Sequence, residues 1–244
     1  MKKDPVSMPV LITTAIAVSS PQTLLTDSKV RLELTVESIR RWRFTRGISG
    51  VVVCDGSGYD LSPHIDAGSP KEAGHKCEVL TFINDTAGVR TKGKGYGEGE
   101  IVMYALRHSE MLNKSPSFAK CTGKLWVENY IECARGFNGL AAFDFGGKFK
   151  PKKIETRFYM VNKEFFLSSL GGLHNKVNDA DGYYLEDAFK EGLKTLRFSD
   201  FIMYPTPRIR GVSGSTGISY RPDRFKSALR DMKALFVRSI GGHL

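Results

Sequence analysis

Cysteine is scarce and scattered: Cys54, Cys77, Cys121 and Cys133 are the four in 244 residues, and no two form a CxxC pair. Metal-site spacing is therefore absent. A chain of this length does not need a disulfide framework, so reduced thiols in a cytoplasmic setting are expected. Long apolar runs are missing too, since nothing reaches the roughly 20 apolar residues that cross a bilayer. The N-terminus imitates a secretion signal, with Lys2 and Lys3 ahead of Pro9–Val18. However, Asp4, Pro5 and Pro9 break the charged-to-apolar transition, and Thr13-Thr14 dilute the apolar core. The run reads instead as a buried first strand. No internal repeat and no nucleic-acid-binding signature is visible, and the basic residues are spread along the chain.

What is present is an ordinary globular composition, 41% hydrophobic and 25% charged, in a chain long enough to bury a full core. The formal charge of +10 favours anionic partners, among them nucleotides, nucleic acid or an acidic membrane face.

The first half alternates strand and helix signals. Val10–Val18 reads as a strand. Asp27 or Ser28 can cap a helix running to Arg43, with Leu32, Val36 and Ile39 on its inner face. Gly50–Cys54 is a β-branched run between glycines, the mark of a buried parallel strand. After a Gly/Pro/Ser-rich loop over 56–75, Cys77–Ile83 is a third strand and Lys124–Val127 a fourth. Between these last two lies Thr91–Lys124. It opens with Gly93, Gly95, Gly97 and Gly99 interleaved with Lys92, Lys94 and Tyr96, then sets Ile101, Tyr104, Ala105, His108 and Leu112 at helical spacing. A basic glycine loop feeding a helix N-terminus suits a phosphate. Glu98 and Glu100 oppose that reading, because first-turn carboxylates would repel it. His108, within the apolar stripe, is expected in the core. The alternation implies an α/β fold with a Rossmann-like, mostly parallel sheet flanked by helices. In such sheets ligands bind outside the carboxyl ends of the strands. Those ends carry Asp55 with Ser57, then Asn84-Asp85, then Glu128-Asn129.

The C-terminal half is more irregular. A glycine-rich linker, Phe137–Pro151, carries Lys148, Lys150, Lys152 and Lys153. A strand Arg157–Val161, a short helix and an amphipathic helix over Asp179–Leu196 follow, with Leu185, Ala188, Phe189, Leu193 and Leu196 on one face. Phe201–Tyr204 reads as a strand, and 205–222 as a mobile, irregular loop containing Arg208, Arg210, Ser213 and Ser215. Over Asp223–Ile240 a basic amphipathic helix sets Phe225, Leu229, Met232, Leu235, Phe236 and Ile240 at helical spacing. That face either meets an anionic membrane or packs on the rest of the chain. The expected division is 1–136, 137–222 and 223–244, within one compact domain overall.

On these residues the chain resembles a known family. The first strand, the helix through Ser38-Ile39 and VVVCDGSGYD are similar to the opening of GT-A-type glycosyltransferases. The block KGYGEGEIVMYAL…FAKCTGKLWVEN resembles small bacterial enzymes of lipopolysaccharide and capsule synthesis. The resemblance covers about Pro9–Tyr130 and implies a nucleotide-sugar donor. Asp55 would sit against the nucleoside, and Lys94, Gly95 and Glu98 would line the donor; Ser57, Asp85 and Glu128, at the strand ends, are further donor-binding candidates. Lys120, Thr122 and Lys124 would reach a phosphate or sugar. The acceptor implied is a glycan or lipid-linked glycan, with Arg208, Arg210, Ser213 and Ser215 in a lid over it. The cytoplasmic enzyme would lie peripherally at the inner face of the cell membrane.

Metal-dependent members place Asp-x-Asp after the strand expected at Lys124–Val127, where this chain has only Glu128. The literal Asp-x-Asp is Asp179-Ala180-Asp181, first expected to cap its own helix, and these two are the metal ligands if a metal is held at all. An inverting transferase needs a carboxylate to take the acceptor's proton. Glu186 lies beside the buried helix face and is the expected base, with Asp187 opposite and His174 as a further candidate. Two other classes are weighed. One is a basic nucleic-acid-binding module, for which Arg41-Trp42-Arg43-Phe44 and Lys148-Phe149-Lys150 speak. The other is a nucleotidyltransferase, which would need paired carboxylates for metal.

Overall fold

The computed structural model describes residues 4–18, 23–65, 74–147 and 151–244. Lys2, Lys3, part of the 56–75 loop and Lys148-Phe149-Lys150 lie outside the described residues. The chain begins β1 (Met8–Thr14), α1 (Ser28–Arg43), β2 (Ile48–Asp55), α2 (Ser62–Ile65), β3 (Cys77–Thr81), α3 (Thr86–Lys92), α4 (Lys94–His108), α5 (Glu110–Asn113) and β4 (Ser117–Thr122). It continues β5 (Leu125–Val127), α6 (Tyr130–Gly136), β6 (Ala141–Gly146), β7 (Lys153–Asn162), α7 (Lys163–Ser169), a 3₁₀ turn at Leu173–Lys176 and α8 (Leu185–Gly192). α9 (Phe198–Phe201), β8 (Ile209–Val212), β9 (Ser219–Tyr220) and α10 (Arg224–Ser239) complete it.

A six-stranded sheet, ordered β3-β2-β1-β4-β7-β6, forms the middle layer, and only β7 runs against the others. This is the Rossmann-like, mostly parallel sheet expected. The sheet crosses residue 136, because β4 pairs with β7. Both of its faces are covered, which explains the unbroken apolar run in β2: Val51 and Val53 turn to the α1 side, Val52 and Cys54 to the α4 side. Asp27 caps α1, accepting from the Lys29 and Val30 N–H groups at 2.8 and 3.1 Å. The inner face of α1 is Arg31, Thr35, Ser38, Ile39 and Trp42, whereas Leu32 and Val36 are only half-buried. Ser38 Oγ and Trp42 Nε1 both donate to the Leu125 carbonyl, at 2.7 and 3.0 Å. These bonds dock the helix where periodicity alone would have rotated it onto Leu32 and Val36.

Several expectations are corrected. The glycine-rich stretch is helix, broken only at Gly93, whose φ is 102°. Its glycines serve packing rather than looseness. A Cβ at Gly99 would collide with His174, one at Gly97 would lie 2.7 Å from Asn84 Nδ2, and one at Gly95 would lie 3.1 Å from Leu185 Cβ. His108 is exposed and lies against the Tyr104 ring, because α4 ends there and Ser109 starts a new turn.

The fourth sheet strand is Ser117–Thr122. Lys124, at φ 71°, reverses the chain, so Leu125–Val127 joins a second sheet, β5-β8-β9. Part of the expected linker, Ala141–Gly146, is the buried edge strand β6. Phe201 ends a helical turn, and only Ile202 bridges to the sheet. The helix expected over Asp179–Leu196 is confined to Leu185–Gly192. The 205–222 loop contains the β8–β9 hairpin. Finally, the apolar stripe of the last helix is not packed on the body: Phe225, Leu229, Met232, Leu235 and Ile240 are 48–73% exposed, as is Phe236 at 50%. Among the described residues no helix is long and apolar enough to cross a membrane.

Candidate active site

The strand order fixes where a crevice must open. The crossover from β1 leads to β2 on one side, while β4 lies on the other, so the loops leaving β1 and β4 diverge at their carboxyl ends. A cavity of about 460 Å³ occupies that point, the size of a small-ligand cleft. Thr13 and Thr14 from the end of β1, Ser57 after β2 and Asn84 after β3 form one wall. Lys94, Gly97 and Glu98 of α4, Thr122 and Lys124 after β4, Thr156 and Arg157 of β7 and Glu186 of α8 form another. Ser213–Thr216 and Tyr220 of the hairpin roof it, held down by Lys94 Nζ donating to Ser215 Oγ at 2.9 Å and Leu24 N–H to the Ser215 carbonyl at 3.0 Å.

One corner is strongly cationic. Lys124 is 3% exposed, and no hydrogen-bond partner of its ammonium is found among the described residues. Burial pulls it down to about 7, the neighbouring Arg31 acts in the same direction, and Asp55 opposes both. Arg31 is itself buried, donating to the Ala15 and Leu25 carbonyls at 2.9 Å, and burial lowers its pKa as well. The hairpin backbone closes on this pair. A Cβ at Gly214 would come within 2.8 Å of Lys124 Cε and 3.3 Å of Arg31 Nη1, so a larger residue there would push on both side chains. Two adjacent buried cations sharing one carboxylate favour an arriving anion.

The opposite side is a carboxylate network. Lys120, 1% exposed, pairs with Glu98 and donates to Thr122 Oγ1 at 2.9 Å and the Thr156 carbonyl at 2.8 Å. Burial draws its ammonium down to about 7 against the pull of Glu186. Glu186 Oε1 accepts from Thr156 Oγ1 at 2.7 Å. Three buried polar atoms of the residues along the wall, Thr13 Oγ1, Thr14 Oγ1 and Asn84 Oδ1, have no partner among the described residues. Unpaired buried groups are rare in folded proteins, and these three belong to residues that line the cavity.

The structure brings together Ser57, Lys94, Glu98, Thr122, Lys124, Glu186, Ser213 and Ser215. Lys120 stands just behind them. Asp55 is fully buried beneath the wall, its carboxylate accepting from the Ile16, Ser57 and Tyr59 N–H groups at 3.0, 2.8 and 3.1 Å and from Ser57 O–H at 2.6 Å. It builds the loop rather than facing the space. Gly95 packs on Leu185, and Asp85 caps α3 by accepting from Ala87 N–H at 3.1 Å. Glu128 does not converge with Asp55 and Lys94. It pairs with Arg210 and lines a separate cleft with Arg40, Arg41 and Trp126, because β5 left the main sheet. Arg208 lies 4.0 Å from Asp231, away from the cavity.

Asp187 caps its own helix through Tyr184 N–H at 3.1 Å. His174 is buried against α4 with Nδ1 2.8 Å from the Gly171 carbonyl, and burial lowers its pKa. Asp179 caps α4 rather than its own helix, accepting from Lys94 N–H at 3.0 Å, while Asp181 accepts from Asn178 Nδ2 at 2.6 Å. The α4 N-terminus is thus already served by a carboxylate, which displaces the phosphate once suited to it. Thr13, Thr14, Arg31, Thr156, Arg157 and Tyr220 were missed. The polar Thr13-Thr14 pair closing an apolar strand was a usable signal. An inward arginine on α1 was not, since nothing local distinguishes it from a solvated one.

The architecture is a Rossmann-like α/β fold with its cavity at the sheet's switch point, and that fold is like the one of a solved glycosyltransferase. Among solved structures the chain is similar to the WbbM bifunctional glycosyltransferase in its apo form, with a TM-score of 0.51 at 11% identity, over 96% of this chain and 44% of that one. It therefore spans less than half that protein's length, and the likeness is one of fold. HddC from Yersinia pseudotuberculosis matches at a TM-score of 0.30 and 14% identity, over 65% of this chain and 78% of that one. No protein-family model matches the chain, and no curated protein matches its sequence.

Proposed function

We propose that the chain transfers a sugar from a nucleotide-sugar donor to a glycan or lipid-linked glycan acceptor of a surface polysaccharide, with inversion. The observation that carries this reading is the joint presence of the Lys124–Arg31 corner and the carboxylates Glu186 and Glu98 in one cavity of a glycosyltransferase-like fold. The donor's phosphate charge would rest on Lys124 and Arg31, with Lys94 beneath the hairpin. As the bond from the anomeric carbon to the phosphate oxygen breaks, negative charge builds on that oxygen, and fixed cations stabilise it. Glu186, oriented by Thr156, takes the proton of the attacking acceptor hydroxyl as the new glycosidic bond forms. Lys120 holds Glu98 in place and sets the field around both carboxylates.

A divalent metal fits these residues poorly. The stretch after Lys124–Val127, where the resemblance places paired carboxylates, offers only Glu128, which pairs with Arg210 outside the cavity, and the turn after β4 presents the buried cation of Lys124. Asp179 and Asp181 are occupied as a helix cap and an amide acceptor, away from the cavity lining. A nucleotidyltransferase reading suffers from the same cation, and a nucleic-acid reading does not explain a cleft that sets buried cations beside two carboxylates.

Glu186→Gln keeps the shape and removes the basicity. Turnover of a nucleotide-sugar is expected to fall about 10²–10⁴-fold with nucleotide affinity little changed. Near-native turnover would remove Glu186 from this role.

A further inference from the structure

The last helix wears its faces the wrong way round for a helix that only packs on its own domain. Toward the body α10 presents Ser227, Ala234 and Val237 together with most of its charge. Arg230 pairs with Asp144, Lys233 reaches the Gly147 carbonyl and the Phe145 ring, and Arg238 donates to the Ile202 carbonyl at 3.2 Å. Asp231 accepts from Thr206 N–H and O–H at 2.7 and 2.6 Å. Away from the body it presents Phe225 (73% exposed), Met232 (67%), Leu229, Leu235 and Ile240. At 100° per residue these fall on one outward stripe.

The charge around that stripe selects what can cover it. Arg224–Ser239 contains five basic residues and one acidic one. Asp231 is engaged with Thr206, and Asp223 is spent capping the helix through Lys226 N–H at 2.8 Å. Arg224 and Lys226 are exposed beside Phe225. A second copy laid stripe to stripe would set the two basic sets against each other in a low-dielectric seam. An anionic lipid interface accepts the apolar side chains and the basic flank together.

We propose that α10 seats this protein on an anionic phospholipid surface, the stripe Phe225–Leu229–Met232 entering the interface and Arg224 and Lys226 meeting headgroups. The seating would also orient the cavity. Arg230 and Lys233 rest on the carboxyl end of β6, which runs the same way as β1, so the helix lies at the same end of the sheet as the cavity. Tyr220, which lines the cavity, is four residues before Arg224. Presentation of a lipid-linked acceptor to that cavity rests on the function proposed above; attachment to the bilayer does not.

Co-sedimentation of the full chain with vesicles tests it, using phosphatidylcholine alone and an equimolar phosphatidylcholine–phosphatidylglycerol mixture. Binding is expected only to the mixture and should weaken as salt rises. Leu229→Glu with Met232→Glu should reduce it roughly tenfold or more. Each of Arg224→Gln and Lys226→Gln should reduce it roughly fivefold. These positions are exposed, so unchanged melting of the variants will confirm that they fold. No binding to the mixture at low salt, or equal binding by the double-Glu variant, overturns the proposal. So does a concentration-dependent dimer by sedimentation velocity that the double-Glu change dissolves, since a second copy would then be the occupant. Nucleotide binding by the same variants should stay intact. If nucleotides fail to bind while vesicles do, the cavity reading falls and the membrane inference stands.

Discussion

Replacing Lys124 with methionine should make this protein more stable and a worse binder at once. The ammonium is 3% exposed and its pKa is drawn down to about 7. An unfolded lysine titrates near ~10.4. Because the folded value is the lower one, the unfolded chain holds more protons between these two pH values, and stability rises across that window. Below about 7 both states are charged and the full penalty of burying the cation is present. A depression of this size corresponds to an upper bound on the order of 5 kcal/mol, at about 1.36 kcal/mol per pH unit. A protein interior responds as a medium of higher effective dielectric than this bound assumes, so Lys124→Met is expected to recover a few kcal/mol at pH 6 and nearly nothing at pH 10. Nucleoside diphosphate affinity should fall about 10–100-fold, the loss of a charge-assisted contact of roughly 1.5–3 kcal/mol. Binding an anion also raises the lysine's pKa. Titration calorimetry at pH 8 in buffers of different ionisation enthalpy should therefore show proton uptake by the native protein and less by the variant. Thermal melts at pH 6 and pH 10 complete the assay. A variant that melts lower than the native protein at pH 6, or binds nucleotide as tightly, would refute the assignment of Lys124 as a buried anion-binding cation.

Three further outcomes follow from the same contacts. Gly99→Ala should lower stability by about 1–3 kcal/mol, because a Cβ there collides with His174; helix propensity alone would raise it by about 1 kcal/mol, so a higher melting temperature would contradict the packing. Thr13→Val removes a buried hydroxyl with no partner among the described residues, so stability should hold or rise; a clearly lower melting temperature would mean that the hydroxyl is satisfied. Prolonged chelation is expected to leave turnover intact, and loss of activity restored by manganese or magnesium would show that a metal is held after all.

Local chemistry settled much of this molecule in advance. The Val51–Cys54 run can serve only a strand covered on both faces, and Asp27 and Asp223 stand where helix donors need acceptors. The stripe in α10 was legible from spacing alone, because a 3.6-residue period is a property of the helix and needs no neighbours. The candidate site was only partly legible. Lys124, Glu98 and Ser215 were visible as polar residues at loop and helix starts, yet Glu128 and Asp85 looked equally good, since strand ends are identified only once the strands are known.

The glycines of α4 read as a loop until His174, Asn84 and Leu185 supplied the surfaces that press on them. Arg31 turned inward because Ala15 and Leu25 offered carbonyls that helix periodicity does not record. Whether the stripe of α10 faced the body or the solvent was likewise undetermined by its own residues, and the pairing of Arg230 with Asp144 resolved it. Periodicity decides what each element is and which sides it has. Which side meets which neighbour depends on the crossover order of the sheet and on contacts between residues far apart in sequence, such as Thr13, Lys124, Glu186 and Ser215, which become neighbours only when the chain is folded.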